Sequence, residues 1–498
     1  MAEAMNQENE IFPMLMRIAA IVATIAAVVF ISVVPQVSND FWLQVKVGQL
    51  IVETHSIPQT ILFAFTEAKD ASFNAHEWLP SVLFYWLISG VGEAALPLVL
   101  GFGGLVLFAI VTLIAYQRSD GNLFLAFALG LVAVCVENQR HYLRPELISL
   151  MLMGIYWYFL ESLRKKSHVA LWAAAWLIVV IWANSHGSFV LAPIITLVYS
   201  LGIWIDSRYL EVKKKPFDGV DSKLYLIFTV AVSFATLLNP KGIELWRFVL
   251  NFGHADSTKL MVAEWLPTLD PRWLHDRGFW IGIVCASLTL TIMTAHWRKL
   301  SAVDVLLFLL FTVLALQAIR FLVYIGILSA YVISSLVPKA WGKTENRLRC
   351  YGVLTIGSVT ILGLSMRFGN AMGAFPHTAY EANYSLSAPM VAQVSNPQLR
   401  GNVLNSYELG AELVYRAYPR LRPSIDSRID SYGKDWTALN SLLFVDDDLL
   451  KKFVIHYDVR YMLLSHDDFI SLKALSSWSE GLWNIIAIDR RTVLLVRA

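Results

Sequence analysis

Ser38-Asn39-Asp40-Phe41-Trp42 is the stretch that decides how the rest of the chain is arranged. It follows an apolar run over residues 12–34, so the Asp40 carboxylate lies at the boundary between hydrocarbon and water. An ionisable side chain is costly in that position unless the protein uses it. A second polar cluster, His76-Glu77-Trp78, ends the same segment. We interpret residues 35–77 as half of an active site held at a membrane surface.

The composition places most of the chain in a bilayer. Hydrophobic residues make up 56% and charged residues 16%, whereas about a quarter of the residues of soluble domains are charged. The formal net charge of +2 gives no indication of nucleic-acid binding. Cys135, Cys285 and Cys350 are far apart in the sequence, so neither a disulfide framework nor a metal spacing is visible.

Apolar runs long enough to cross a bilayer, or nearly so, recur along most of the chain. Arg17 precedes the first run, but no small-x-small cleavage site follows it, which predicts a retained helix rather than a secretion signal. About eleven transmembrane helices are predicted, at residues 12–34, 95–116, 122–137, 145–162, 169–183, 188–206, 223–238, 279–296, 302–318, 320–337 and 349–367.

The short apolar segment Trp78–Val91 decides the topology. If it lies along the outer surface, the basic clusters of the later loops fall inside, as the positive-inside rule favours. These clusters are Arg118, Arg164-Lys165-Lys166, Arg208 with Lys213-Lys214-Lys215, Arg298-Lys299, and Lys339, Lys343, Arg347 and Arg349. The N-terminus is therefore predicted inside, and the inner loops are interpreted as plain basic spacers. Chemistry is predicted on the outer segments, which are residues 35–77, 137–144, 182–187, 239–278 and those after about 368.

The predicted fold class is mainly α, a polytopic membrane protein with interfacial helices in the first outer loop and a small C-terminal soluble α/β domain. Phe41–Glu53 has the apolar spacing of an amphipathic interfacial helix, which Gly48 and the turn at His55–Pro58 end or weaken. The predicted domains are a transmembrane catalytic module over residues 1–370, a linker over 371–399 and an outer α/β domain over 400–498. Within that last domain the pattern predicts strands at 402–405, 422–425 and 461–465, helices at 407–418 and 446–457, and a hairpin of 484–488 with 492–497.

Asp40 and Glu146 are the candidate catalytic carboxylates. Asn39 or Asp40 is a natural N-cap for the interfacial helix, and Asp40 is also placed to act as a general base. Pro145-Glu146 is a favourable helix start, yet it does not explain why Arg140, His141 and Arg144 crowd the same outer position. Cations beside a carboxylate at a membrane face suit a phosphate or diphosphate, so Arg140 and Arg144 are the candidate donor phosphate-binding residues.

The candidate substrate-binding residues are Trp42, His76, Glu77, Asn184 and His186. Each also has a structural interpretation: Glu77 fits a helix start, and His186 a tight outer turn. Glu264-Trp265 adds a further acidic and aromatic pair outside. The sequence contains no Walker loop, dinucleotide fingerprint, His-Glu-x-x-His motif or nucleophile elbow, so it gives no indication of ATP, nicotinamide or structural zinc.

The order of these motifs resembles the GT-C superfamily of integral membrane glycosyltransferases, in particular the protein O-mannosyltransferase and aminoarabinose-transferase group. The resemblance rests on Asp40-Phe41-Trp42, His76-Glu77-Trp78-Leu79, Arg144-Pro145-Glu146 and Trp182-Ala183-Asn184-Ser185-His186-Gly187. It implies that Asp40 acts as base or orients the acceptor, that Glu146 is the second outer acid, and that the donor is a sugar on a polyprenyl phosphate. Asn39-Asp40 replaces a paired-acid motif, which leaves a role for Mg²⁺ or Mn²⁺ open.

The resulting hypothesis is a multi-pass glycosyltransferase of the bacterial inner membrane that acts on its periplasmic face. Its partners would be membrane lipids, a polyprenyl-phosphate-linked sugar and a glycan, lipid or protein acceptor, with no nucleic acid. Two alternatives stay open: a transporter or flippase for lipid-linked glycans, and a non-catalytic scaffold for envelope glycans that uses residues 426–432 as a docking patch.

Overall fold

The computed structural model describes residues 2–33, 38–209, 221–252, 263–337, 344–371 and 386–498. A helix lies in every one of the apolar segments predicted from the sequence. The described α-helices up to residue 371 are α1 (Ala2–Ser32), α2 (Asn39–Thr54), α3 (Trp78–Val91), α4 (Leu96–Arg118), α5 (Leu123–Glu137), α6 (Pro145–Lys165), α7 (Val169–Ala183), α8 (Leu191–Tyr209), α9 (Ser222–Ala235), α10 (Ile243–Phe252), α11 (Arg277–Ala295), α12 (Ala302–Gln317), α13 (Val323–Leu336) and α14 (Thr344–Ala371).

The chain is a multi-pass membrane protein. Among the described residues, six helical segments are both long and apolar enough to cross a bilayer, and they are Phe12–Ser32, Glu93–Arg118, Pro145–Lys165, Gly187–Tyr209, Arg277–Ala295 and Ile319–Leu336. The other apolar helices are shorter, and Trp78–Val91 is one of them. The count of about eleven spans therefore stays a prediction.

Buried aromatic side chains hold the centre of the helical bundle together around α6. The indole of Trp157 stacks on Phe311 with ring centroids 5.5 Å apart and lies 4.9 Å from Tyr331. Between helices surrounded by lipid, such close packing replaces the hydrophobic driving force that operates in water. The bundle fixes the ends of α5, α6 and α13 at which the polar residues described below are found.

Arg118 and Arg164 are not the plain spacers that the sequence suggested. Arg118 donates to Glu161 at 2.8 Å and to Asp304 at 2.6 Å, and its guanidinium lies 3.7 Å above the Tyr331 ring. These ionic side chains are almost fully buried. A buried charge must be paired to be tolerated, so the acids at the ends of neighbouring helices recruit these arginines into the bundle.

Helices α2 and α3 form a tightly packed pair in the loop between α1 and α4, which the sequence predicts to be the first outer loop. A side chain at Gly48 would lie 2.0 Å from the carbonyl oxygen of Ser81, so only glycine permits this approach. The helix runs through Gly48 and ends at Thr54, where His55 takes a left-handed conformation with φ 52°. Gly48 thus does not end the helix but serves close packing, whereas the predicted turn at His55–Pro58 does end it.

The C-terminal domain is a five-stranded sheet with helices around it. Its strand order is β2-β1-β3-β5-β4; β1, β2 and β3 pair in parallel, and β5 pairs antiparallel with β3 and β4. The strands are β1 (Gly401–Asn405), β2 (Leu421–Pro423), β3 (Val459–Ser465), β4 (Trp483–Ile488) and β5 (Thr492–Arg497). The helices are α15 (Ala388–Val394), α16 (Gly410–Ala417), α17 (Ile429–Leu442), α18 (Asp447–His456), α19 (His466–Lys473) and α20 (Ser476–Ser479).

The segment predicted as a linker, residues 371–399, is not a linker in its second half. Residues 372–385 lie outside the described residues, but Ala388–Val394 is the helix α15. Its Met390 and Val394 are buried with Leu386 in the core of the C-terminal domain. A seven-residue helix shows too little periodicity to be recognised from sequence, which is why this segment resembles a linker.

The C-terminal domain packs directly on the first outer loop. Trp42 of α2 stacks on Tyr415 of α16 with ring centroids 4.7 Å apart, and Arg416 pairs with Glu93. Close by, Asp426 and Arg428 form a buried ion pair, and the Arg428 guanidinium lies above the rings of the loop residues Phe63 and Phe73.

Candidate active site

Asp40 is a partly exposed carboxylate in the first turn of α2. The helix is capped by Ser38 rather than by Asn39 or Asp40, because the Ser38 hydroxyl accepts the Asp40 backbone N–H at 3.1 Å. The Asp40 side chain is 42% exposed and lies 3.6 Å from Nη2 of Arg144. Its carboxylate is therefore not used for capping its own helix and faces solvent beside a cation.

Arg140 and Arg144 come from the short connection between α5 and α6. A buried pair anchors this connection: His141 Nδ1 lies 2.8 Å from the Glu137 carboxylate, and its Nε2 lies 2.9 Å from the carbonyl of Leu100. Both partners are hydrogen-bond acceptors, so the imidazole donates from both nitrogens and is cationic when Glu137 is ionised. The two arginines are thus presented from a fixed turn.

Glu146 lies in the first turn of α6, where the Pro-Glu start predicted it. Its carboxylate accepts from Arg140 Nη2 at 2.6 Å and from Arg320 Nη2 at 3.4 Å. Arg320 belongs to the short turn Ile319–Leu322 before α13. Glu146 is therefore an internal acid that orients two guanidinium groups.

Glu264 is the centre of the same arginine group. Its carboxylate lies 2.6 Å from Arg140 Nη1, 3.4 Å from Arg144 Nη1 and 3.6 Å from Arg320 Nη1. We call Arg140, Arg144 and Arg320 with Asp40, Glu146 and Glu264 the arginine–carboxylate cluster. It gathers residues that are more than 250 positions apart in sequence, since Asp40 and Arg320 both belong to it.

Electrostatics keeps this cluster ionised. Burial would by itself raise the pKa of Glu264, but the Arg140, Arg320 and Arg144 guanidiniums hold it far below its ordinary value. Burial likewise opposes the charge of Arg140, yet Glu146 and Glu264 raise the pKa of that guanidinium above its ordinary value. The positive charges are therefore permanent, and they are balanced by carboxylates.

Four of the candidate substrate-binding residues meet beside the cluster. Glu77 accepts from Gln44 Nε2 at 2.6 Å and lies 3.8 Å from Nε2 of both His76 and His186. The Trp78 indole donates to Asn184 Oδ1 at 2.9 Å, which joins the first outer loop to the α7–α8 turn.

His186 is a neutral imidazole in this arrangement. Its Nδ1 accepts the Ser188 backbone N–H at 3.2 Å, so Nε2 carries the proton and faces Glu77. Burial lowers the pKa of His186 to about 3, against a smaller opposing effect of Glu146. A small cleft opens beside His76 and Trp78, and Lys241 contributes to its wall.

Trp42 is directed away from the cluster. Its side chain is 2% exposed and packs against both Tyr415 and the guanidinium of Arg416, whose Cζ lies 4.6 Å from the Trp42 ring. The structure thus places this candidate substrate-binding residue in the contact with the C-terminal domain.

Glu264 and Arg320 were not among the candidate site residues. The sequence singled out Glu264-Trp265 only as an acidic and aromatic pair, and it gave no indication for Arg320. The available signal was a charged side chain next to an apolar segment at an outer helix end, because such residues in membrane proteins commonly serve function. The Arg320 guanidinium also lies 4.4 Å from the centroid of the Trp265 ring, a contact that sequence cannot show.

The two central carboxylates of the cluster, those of Glu146 and Glu264, do not fit a divalent cation. Mg²⁺ and Mn²⁺ need carboxylate oxygens with free lone pairs, but both acids at the centre are engaged by two or three guanidiniums each. The residues that the structure describes also contain no group of three or more His, Cys, Asp or Glu side chains arranged to hold a metal. In this cluster arginines supply the positive charge.

Comparison with solved structures gives the same arrangement of elements in membrane transferases. The archaeal oligosaccharyltransferase AglB from Archaeoglobus fulgidus, in complex with an inhibitory peptide and a dolichol-phosphate, superposes with a TM-score of 0.60 at 11% identity, over 96% of this chain and 73% of that one. ArnT from Cupriavidus metallidurans in the apo state superposes with a TM-score of 0.53 at 13% identity, over 97% of both chains. This chain has the GT-C fold.

The superpositions include the C-terminal domain, since they cover nearly the whole chain. A further structure of the Archaeoglobus fulgidus enzyme is a complex with Zn and sulfate, with a TM-score of 0.55 at 12% identity over 96% of this chain and 73% of that one. No protein-family model and no curated protein sequence matches the chain. The suspected resemblance is thus confirmed at the level of fold.

Proposed function

We propose that this GT-C protein is a glycosyltransferase that moves a sugar from a polyprenyl-phosphate-linked donor to an acceptor hydroxyl at the outer face of a bacterial inner membrane. One observation carries the proposal: Asp40 is a solvent-facing carboxylate beside a permanent group of guanidiniums at the outer helix ends. The GT-C fold, which AglB and ArnT share, supports the same class of activity.

In the proposed reaction the acceptor oxygen attacks the anomeric carbon of the sugar. The new bond joins that carbon to the acceptor oxygen, and the bond that breaks joins the carbon to the phosphate oxygen. Asp40 takes the acceptor proton, and the leaving lipid phosphate keeps the electron pair. Arg140 and Arg144 stabilise the charge that develops on the phosphate, because guanidinium forms short, paired hydrogen bonds to such oxygens.

Glu146 acts in this proposal through the arginines. Its contacts at 2.6 Å and 3.4 Å fix the directions of the Arg140 and Arg320 guanidiniums before substrate binds. Pre-oriented charges stabilise a transition state without reorganisation during the reaction. His76 lines the cleft, and the linked residues His76, Glu77, Asn184 and His186 are proposed to position the acceptor.

The alternatives have less support. A transporter would place charged residues near the middle of the membrane, whereas the buried pairs of Arg118 with Glu161 and Asp304 lie at helix ends. The scaffold hypothesis used residues 426–432 as a docking patch, but Asp426, Arg428 and Tyr432 are buried and the Arg428 guanidinium packs against the protein's own first outer loop.

The decisive experiment is Asp40→Asn in the purified full chain, assayed with a polyprenyl-phosphate-linked sugar. Loss of a general base typically costs about 10²–10⁴-fold in rate, and we expect a reduction of that order with an unchanged melting temperature. Asp70→Asn is the matched control, because Asp70 is an exposed carboxylate of the same outer loop. Wild-type turnover of Asp40→Asn would remove Asp40 from the mechanism.

A further inference from the structure

The arginine–carboxylate cluster has no positive charge to spare. Three guanidiniums, those of Arg140, Arg144 and Arg320, stand against the carboxylates of Asp40, Glu146 and Glu264. A lipid-linked sugar phosphate is a phosphodiester with a single negative charge. Adding it to a balanced cluster would leave an unpaired anion in a largely buried place, which is costly. One carboxylate must therefore leave when the donor binds.

Glu264 is the carboxylate that lies where a bound anionic ligand would contact the three arginines. It contacts all three guanidiniums, at 2.6, 3.4 and 3.6 Å, whereas the pairs of Glu146 involve two of them. Convergence of several arginines on one anionic group is the arrangement that proteins use to bind phosphate. The Glu264 carboxylate thus fills the site that a phosphate would take.

The two acids also differ in how firmly they are held. Glu146 is in the first turn of the spanning helix α6, and its side chain is 12% exposed. Glu264 is in the short turn Ala263–Trp265, and its side chain is 24% exposed. The backbone just after it is fixed, since Leu266 accepts from the Ile319 N–H at 3.1 Å. Glu264 can therefore leave by rotation of its side chain alone.

We propose that Glu264 is an internal stand-in for the donor phosphate, which displaces it from Arg140, Arg144 and Arg320. This inference rests on the proposed function. It adds that Glu264 keeps the three arginines charged and ordered while no donor is bound. Exchange of one carboxylate for one phosphodiester keeps the cluster balanced. After transfer Asp40 is protonated and the lipid phosphate carries nearly two charges, so the balance holds again with Glu264 outside.

Displacement of Glu264 by the donor predicts the direction in which the affinity for a phosphate ligand changes when Glu264 is replaced. A carboxylate that competes with the donor lowers donor affinity, so its removal tightens binding of a phosphate ligand. A carboxylate that only positions the arginines has the opposite effect, because its loss disorders them and weakens binding. The two roles of Glu264 are therefore distinguished by the direction of the change alone.

The experiment measures binding of farnesyl phosphate, a short prenyl phosphate, to the purified full chain in detergent at fixed ionic strength by titration calorimetry. It is done at about pH 5, where this monoester, with a second pKa of about 6, carries mainly one negative charge like the donor phosphodiester. We expect Glu264→Gln to tighten binding by about tenfold relative to wild type. Glu264→Asp keeps the charge but shortens the reach, and we expect a smaller tightening. This second variant keeps the test valid if the glutamine variant folds poorly, as judged by its melting temperature.

Two matched variants separate displacement from a general change in charge. Glu146→Gln removes a neighbouring acid of the same cluster, and Glu77→Gln removes an acid of similar exposure that is held by Gln44. Tightening confined to the Glu264 variants supports the inference. Equal tightening in all variants, or unchanged or weaker binding in the Glu264 variants, overturns it while leaving the Asp40 test of function unaffected. Absence of binding by both wild type and the variants contradicts the inference and the proposed donor site together.

Discussion

Arg144 donates a hydrogen bond from Nε to the Ser38 hydroxyl at 2.5 Å, which ties the α5–α6 connection to the start of the helix that carries Asp40. The same hydroxyl accepts the Asp40 N–H and donates to Asp40 Oδ2 at 3.3 Å. One donor and two acceptor positions are all that a serine offers, so its hydrogen-bonding capacity is used in full. Ser38 thus sets the distance between the proposed base and the proposed phosphate ligand.

Replacement of Ser38 tests this role. Ser38→Ala removes an N-cap worth about 1 kcal/mol and releases both Arg144 and Asp40. We expect turnover to fall by about tenfold or more, since displaced catalytic groups lose rate steeply. Ser89→Ala is the control, because Ser89 is an exposed serine in α3 that bonds within its own helix. Wild-type kinetics in Ser38→Ala would show that this connection does not position the site.

Metal removal tests the interpretation that arginines supply the positive charge. Because the central carboxylates are engaged by guanidiniums, we expect activity to be unchanged after treatment with EDTA and after addition of Mg²⁺ or Mn²⁺. The measurement is turnover of chelator-treated, dialysed protein. Loss of activity with EDTA and its recovery with Mn²⁺ would contradict the prediction and would indicate a rearranged cluster.

Arg416 holds the C-terminal domain on the membrane module. It pairs with Glu93 at 2.5 Å and with Glu412 at 3.1 Å, and it covers the Trp42 ring. Breaking a buried pair costs about 3–5 kcal/mol, and the partial exposure of Glu93 reduces this, so we expect Arg416→Ala to destabilise docking by about 2 kcal/mol. Hydrogen exchange in α2 and α16 should rise together.

The control for this docking prediction is Lys452→Ala, since Lys452 is exposed on α18 of the same domain. It should leave exchange in both helices unchanged. If Arg416→Ala raised exchange in α16 but not in α2, Arg416 would stabilise its own domain without holding the interface.

Glu412 makes the stability of the C-terminal domain depend on pH. Burial raises the pKa of this carboxyl from 4.5 to about 7, although Arg416 acts to lower it. The folded protein then holds a proton that the unfolded chain loses, so stability falls as pH rises from about 4.5 to about 7 and is level above. At about 1.4 kcal/mol per pKa unit, the loss is about 3 kcal/mol.

Melting temperatures of wild type and Glu412→Gln across this pH range check that prediction. We expect the wild-type value to fall relative to the variant as the pH rises, because glutamine cannot release a proton. Parallel curves for the two proteins would show that Glu412 does not titrate in this window.

The sequence by itself determined where the membrane helices lie and which residues make up four of the six positions of the arginine–carboxylate cluster. Long apolar runs have few structural alternatives, which is why each predicted segment is a helix. Local signals such as Arg144-Pro145-Glu146 also fixed where α6 begins. The sequence did not predict the short helix α15 or the close contact at Gly48. Both depend on neighbouring elements, which hydrophobic periodicity cannot show.

Only the tertiary structure decided how the charges are combined. Glu264 and Arg320 join Arg140 and Glu146 because the ends of separate helices meet in space, and no spacing in the chain encodes that meeting. The structure likewise decided that Trp42 faces the C-terminal domain. The physical reason is that hydrophobicity selects a helix locally, whereas the pairing of buried charges depends on which helices pack together.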